Sequence, residues 1–166
     1  GDIQILPPDM NMLDESSPIE ADPAYLSSVL ELDGVRSVTP AVYKAGIVKN
    51  GESIHGIVFK GMEGGPAVMS GVEIPDSVSF PVSIPSRLAE TASLGVGDKL
   101  LAYFVGEKLK VRSFNIVSVH DVMLEADDKI VVVAQISDMQ RLLGWNETEA
   151  SSLEVVLDHD HKNEHE

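Results

Sequence analysis

The 166-residue chain contains no cysteine. Disulfides, zinc–thiolate centres and cysteine nucleophiles are therefore excluded. Long apolar runs are missing too. The longest strong one, Ile130-Val131-Val132-Val133-Ala134, has the length of a strand, far short of the ~20 residues a membrane-spanning helix needs. At the N-terminus no basic stretch precedes an apolar one, so no signal peptide is read there. Basic residues are scarce: 12 Lys and Arg face 27 Asp and Glu, for a formal net charge of −15. Duplex binding needs a basic face that releases counterions, so nucleic acid is excluded as a partner. Polybasic docking on anionic lipid is excluded on the same ground.

What is present is a globular composition, 43% hydrophobic and 23% charged, in a length suited to one domain or a compact pair. The acidity sits at the two ends. No Lys or Arg occurs before Arg36, whereas residues 36–112 are close to neutral and the stretch from 113 onward is acidic again. Solvated connections and a charged tail account for that pattern. The chain opens on Gly1-Asp2-Ile3-Gln4-Ile5-Leu6, strand-like and without an initiator Met, and is read as an excised piece of a longer protein.

Periodicity and turn residues divide the rest. Asp22-Pro23 predicts a helix N-cap with proline in the first turn, followed by an apolar face of Leu26, Val29 and Leu30 and a stop at Gly34. Residues 35–49 read as extended chain interrupted at Pro40. Asn50-Gly51 predicts a hairpin into a strand from Ser53 to Lys60. Residues 61–77 read as loop. A strand over 78–84, a helix after Pro85 carrying Leu88, Ala89 and Ala92, and β runs at 100–105 and 109–119 follow. Lys129 to Ile136 reads as a buried strand. Ser137 with Gln140 predicts a capping box for a helix that ends at Gly144, and Leu153 to Leu157 is the last strand. The expected class is α+β: a ferredoxin-like βαβ–βαβ layer interrupted by a smaller β-rich insertion. Residues 1–61 and 128–158 would form the discontinuous outer part, 62–127 the insertion, and 159–166 a flexible acidic tail.

Catalytic signatures fail one by one. Gly95-Val96-Gly97-Asp98 follows a helix instead of opening one, so it is not a dinucleotide loop. Ser70 lacks the G-x-S-x-G elbow. His55 reads as a solvated or core histidine. His120-Asp121 could form an oriented acid–base pair, but neighbours on a strand point to opposite faces. Asp127-Asp128 reads as a solvated turn. His159, His161 and His165, with Asp158, Asp160 and Glu164, resemble a metal cluster without a folded frame. Met10, Met12, Met62 and Met69 read as gap-fillers, or as an adaptable binding surface. The expectation is a non-enzyme with no cofactor, no metal and no assignable partner-binding residue.

Several stretches resemble a known family. Ile84-Pro85-Ser86-Arg87-Leu88-Ala89-Glu90 through Leu94-Gly95-Val96-Gly97-Asp98-Lys99-Leu100, the strand Phe114 to Val119, the helix Ile136 to Trp145 and the closing strand Ser152 to Asp158 carry the resemblance. So do Val35 to Pro40 and Val58-Phe59-Lys60-Gly61-Met62 upstream. The pattern resembles the extracytoplasmic, MacB-like periplasmic core domain of an FtsX-like ABC-transporter permease of the lipoprotein-releasing and macrolide-exporter type. That resemblance implies a two-part domain between two membrane helices, on the periplasmic face of the bacterial inner membrane. It implies partnership with a cytoplasmic ATPase subunit, a second permease copy and a periplasmic carrier or envelope protein. Coupling of ATP hydrolysis to lipoprotein release or related transport is the expected role. Transmission of a conformational change to a periplasmic hydrolase or efflux partner is the alternative. The long carrier-holding loop of proteobacterial lipoprotein-releasing permeases has no room at Val105-Gly106-Glu107-Lys108, a tight turn.

Overall fold

The computed structural model describes residues 2–5, 18–121 and 129–158. The first half runs β1 (Asp2–Ile5), β2 (Ile19–Glu20), α1 (Pro23–Leu30), β3 (Val35–Asn50), β4 (Ser53–Met62) and α2 (Gly65–Ser70). Then come β5 (Pro81–Pro85), α3 (Ser86–Ala92), β6 (Lys99–Phe104) and β7 (Lys110–His120). The last part is β8 (Val131–Gln135), α4 (Ile136–Leu143), β9 (Glu149–Ala150) and β10 (Ser152–Leu157). The chain is α+β, as expected from its sequence.

Eight strands form one sheet in the order β1-β10-β3-β4-β8-β5-β7-β6. A further pairing of Ile47 with Tyr103 and Val48 with Ala102 joins β3 to β6. Six strands are thereby closed into a ring, with β10 and β1 continuing from β3 as an open wing. The strands from 62–127 thus share this sheet with those of the outer segments. The reason lies in β5, all five residues of which are buried, so that both of its edges need partners. It takes β7 in parallel and β8 antiparallel.

The ring's interior is an apolar core. Phe59, Phe104, Phe114, Val82, Leu100 and Val132 are all 2% exposed or less. Aromatics are only 5% of the sequence, yet all four Phe meet here. Phe59 stacks on Phe114 with centroids 4.7 Å apart, and Phe104 and Phe80 approach from 5.3 Å (to Phe59) and 5.8 Å (to Phe114). Such pairs add about 0.5–1.5 kcal/mol each beyond their buried area. α4 lies close against β4 at Gly61, where a Cβ would stand 2.8 Å from Met139 Cγ and 3.0 Å from the Ile136 Cα. A side chain at that position would push the helix off the sheet.

Local chemistry explains most boundaries, and several corrections. Asp22 Oδ1 accepts from the Tyr25 N–H at 2.8 Å, capping α1. Leu26 and Val29 pack on the core, but Leu30 is 46% exposed and does not belong to that face. Pro40 does not interrupt β3. It sits where the strand passes from β10, paired over 35–41, to β4, paired over 41–50, so its missing N–H falls at a change of partner. In the hairpin Asn50 pairs with Ser53, leaving Gly51 and Glu52 as the turn. Gly51 has φ +61°, and glycine at the first turn position suits the II′ class. Residues 65–70, expected as loop, form α2. The capping box at Ser137 is not made: Gln135 is the N-cap, and Gln140 donates to the carbonyls of Glu147 and Glu149 at 3.2 and 2.9 Å. That pins the α4–β9 connection, and Ala21 N–H to Thr148 O ties β2 beside it.

Candidate functional site

Among the residues singled out from sequence, Ser70 and His120 come together, joined by two serines that no motif marked. α2 ends at Ser70 over β5 and β7, whose Ser83, Ser118 and His120 point the same way. Ser118 Oγ donates to Ser70 Oγ at 2.9 Å. Ser70 and Ser83 hydroxyls lie 3.2 Å apart, and Ser83 Oγ lies 2.7 Å from His120 Nδ1. Donation along the row Ser118, Ser70, Ser83 satisfies each hydroxyl and makes Nδ1 the acceptor, which requires a neutral ring. Burial pushes the His120 pKa down, against the raising pull of the Asp121 carboxylate. The geometry and the shift agree.

A serine beside a neutral imidazole is the pairing of a nucleophile and its base. Here, however, Ser83 is fully buried and Ser118 nearly so. The three surface clefts described below include neither Ser83 nor His120. The row acts as a polar clamp holding the end of α2 to the sheet. Its residues are separated by 13, 37 and 48 positions, and only the register of β5 with β7 unites them.

The other sequence candidates lie apart. His55 is on β4, and its Nε2 is buried with no hydrogen-bond partner among the described residues. Met62 ends β4 and Met69 is 42% exposed on α2. Gly95 to Asp98 form a tight turn, in which the Gly95 N–H donates to Asp98 Oδ2 at 2.9 Å. Met10, Met12, Asp127, Asp128 and the His159–His165 tail lie outside the described residues. No group of three or more His, Asp or Glu that could hold a metal occurs among the described residues.

Among the clefts formed by the described residues, three bear on function. One of about 570 Å³ lies between the 73–79 loop and the Val96–Gly97 turn. The other two flank the turn from β6 to β7. On its outer side Ile47, Ile54, Tyr103, Val105 and Leu109 line an apolar depression of about 280 Å³. Ile54, Val105 and Leu109 are 58–66% exposed there, and Leu101 and Val111 extend the same face. Apolar exposure concentrated in one place marks an interaction surface more than scattered residues do. On the other side of the turn, the third cleft runs between Phe104, Leu142 and Leu143 and is overhung by Lys44, Lys108 and Lys110.

The surface belongs to a recognisable architecture: a mixed α+β body built on a ring of six strands, with a two-strand wing carrying both ends of the described chain. In this fold the chain is similar to the extracellular domain of the noncanonic ABC-type transporter YknZ from Gram-positive bacteria, with a TM-score of 0.56 and 14% identity over 98% of this chain and 86% of that one. It is similar also to the periplasmic region of MacB from Actinobacillus actinomycetemcomitans, with a TM-score of 0.55 and 13% identity over 95% of this chain and 74% of that one. No family model and no curated protein sequence matches the chain. The likeness establishes a shared fold, the one that the sequence resemblance pointed to.

Proposed function

We propose that the chain is the extracytoplasmic domain of an ABC-transporter permease, coupling cytoplasmic ATP hydrolysis to lipoprotein release or related envelope transport. The observation that carries this reading is the strand register at the wing. Asp2 pairs with Leu157, and Leu157 with Val35, so the two ends of the described chain leave side by side. A domain held between two membrane helices needs that arrangement. No helix among the described residues is long and apolar enough to cross a membrane itself. The shared fold with two transporter domains supports the same reading.

On this reading the partners are a cytoplasmic ATPase subunit, a second permease copy and a periplasmic carrier or envelope protein, on the periplasmic face of the inner membrane. Residues 1–61 with 128–158 would be the frame and 62–127 an insertion into it. The domain would act without catalysis of its own, moving as a packed body with its helices. Envelope lipoprotein release in cells lacking the full-length permease tests the proposal. Lipoproteins retained at the inner membrane are expected, and normal release would sink the lipoprotein reading. Recovery of a cell-wall hydrolase on the full-length permease would favour the regulatory role instead.

A further inference from the structure

We infer that the outer face of the strand ring, where β7, β6, β3 and β4 lie side by side, docks an acidic protein segment whose apolar side chains cover it. The registers set Val111 beside Tyr103, Tyr103 beside Ile47 and Ile47 beside Gly56, one row across all four strands. Ile54, opposite Lys49 in the hairpin, continues this row into the apolar depression that Val105 and Leu109 complete. On β6 the alternate residues Leu100, Ala102 and Phe104 turn inward and are 2% exposed or less. That inner side serves the core. The outer side leaves Ile54, Val105 and Leu109 more than half exposed in one place, a patch of the kind that marks an interaction surface.

Charge identifies the occupant. The chain has 27 Asp and Glu, and none of them lies in β3, β4, β6 or β7, whereas seven of its 12 Lys and Arg do. Of the residues lining the depression, Lys49 alone is charged. A second copy packed face to face here would set basic strands against basic strands, and a segment bearing carboxylates complements them. Shape separates a protein from a lipid surface. Gly56 is exposed, its φ lies outside the left-handed region, and a Cβ there would meet no atom within 4 Å. A glycine inside a strand marks a place where another chain approaches closely. The recess it leaves beside Ile47 takes one bulky side chain as an anchor. A fluid bilayer brings no such knob. This inference does not rest on the transport reading.

The test is selection from a phage-displayed library of random dodecapeptides on the immobilised 166-residue chain, followed by fluorescence polarisation with the selected peptides. Peptides that set Asp or Glu beside Leu, Phe or Trp are expected. Gly56→Leu fills the recess from an open, unstrained position, so it should weaken their binding about tenfold with the urea midpoint of unfolding held. Lys49→Glu should weaken the acidic peptides about tenfold and turn a repeated selection towards basic ones. Sedimentation of the chain alone and flotation with phosphatidylglycerol vesicles examine the two other occupants. Peptides without acids, no enrichment over bare support, or binding that Gly56→Leu leaves intact would overturn the inference. So would self-association or vesicle binding that Gly56→Leu abolishes, because a second copy or a lipid surface would then own the face.

Discussion

The interior of the strand ring is buried and the clamp beside it is buried in part, and the two are held by opposite means. In the ring, Phe59, Phe104 and Phe114 fill space with no polar atom to satisfy. At the clamp, the hydroxyls of Ser70, Ser83 and Ser118 and the Nδ1 of His120 are held by bonds to one another. The ring depends on volume and the clamp on a protonation state. Loss of atoms should therefore damage the first most, and change of pH the second.

The largest effect is expected from Phe59→Ala, which opens a cavity against the stacked ring of Phe114 and the tilted ring of Phe104 and should cost about 3–5 kcal/mol in urea unfolding. A loss under ~1 kcal/mol would mean that the ring collapses around the gap and the contrast fails. Ser83→Ala removes the link between Ser70 and His120 and strands Nδ1, for an expected loss of about 1–3 kcal/mol. The same loss at high and low pH would show that the imidazole is not part of the clamp.

A third expectation concerns acid. The His120 value in the fold lies below the 6.5 of an ordinary histidine, chiefly through burial, so protons bind the unfolded chain more tightly. Its contribution is then complete above pH 6.5 and is lost as pH falls through the folded value. Comparing unfolding of the wild type with His120→Gln across that window isolates the histidine from the carboxylates. Parallel pH profiles would remove it from the account.

The smallest effect belongs to Asp138→Asn. Asp138 is buried, bonds Arg141 at 2.9 Å and leaves Oδ2 without a hydrogen-bond partner among the described residues. Desolvation raises its pKa against the pull of Arg141, so ionisation at neutral pH is held at a cost. A folded value above the ordinary one means that its contribution is full below pH 3.8 and declines as pH rises. Neutralising it should change stability by less than about 1 kcal/mol at neutral pH, read by thermal unfolding.

What was legible in the sequence and what was not divide along the same line. Asp22-Pro23, Gly51 and Gly144 announce their turns and caps locally, and alternation in β6 and β7 announces their faces. Ring closure is non-local. Nothing near Ile47 points to Tyr103, because that pairing depends on how β5 seats between β7 and β8. The clamp hides for the same reason, since Ser83 and Ser118 look like any strand serines until the register places them. The spacing of Gln140 from Ser137 fits a helix-capping partner. Its amide instead reaches forward to a connection that only the folded chain brings near.

The pairing of Asp2 with Leu157 and of Leu157 with Val35 also sets a mechanical geometry. Val35 is the near end of a 16-residue strand whose other end is the Asn50 turn. At about 3.3 Å per residue that strand reaches up to about 50 Å from its base. A tilt of some ten degrees where the two chain ends are gripped would sweep the far hairpin through up to about 9 Å over that length. On the proposed transport reading the wing would be a fulcrum and β3 the lever, so that a small movement at the base would become a stroke at the tip.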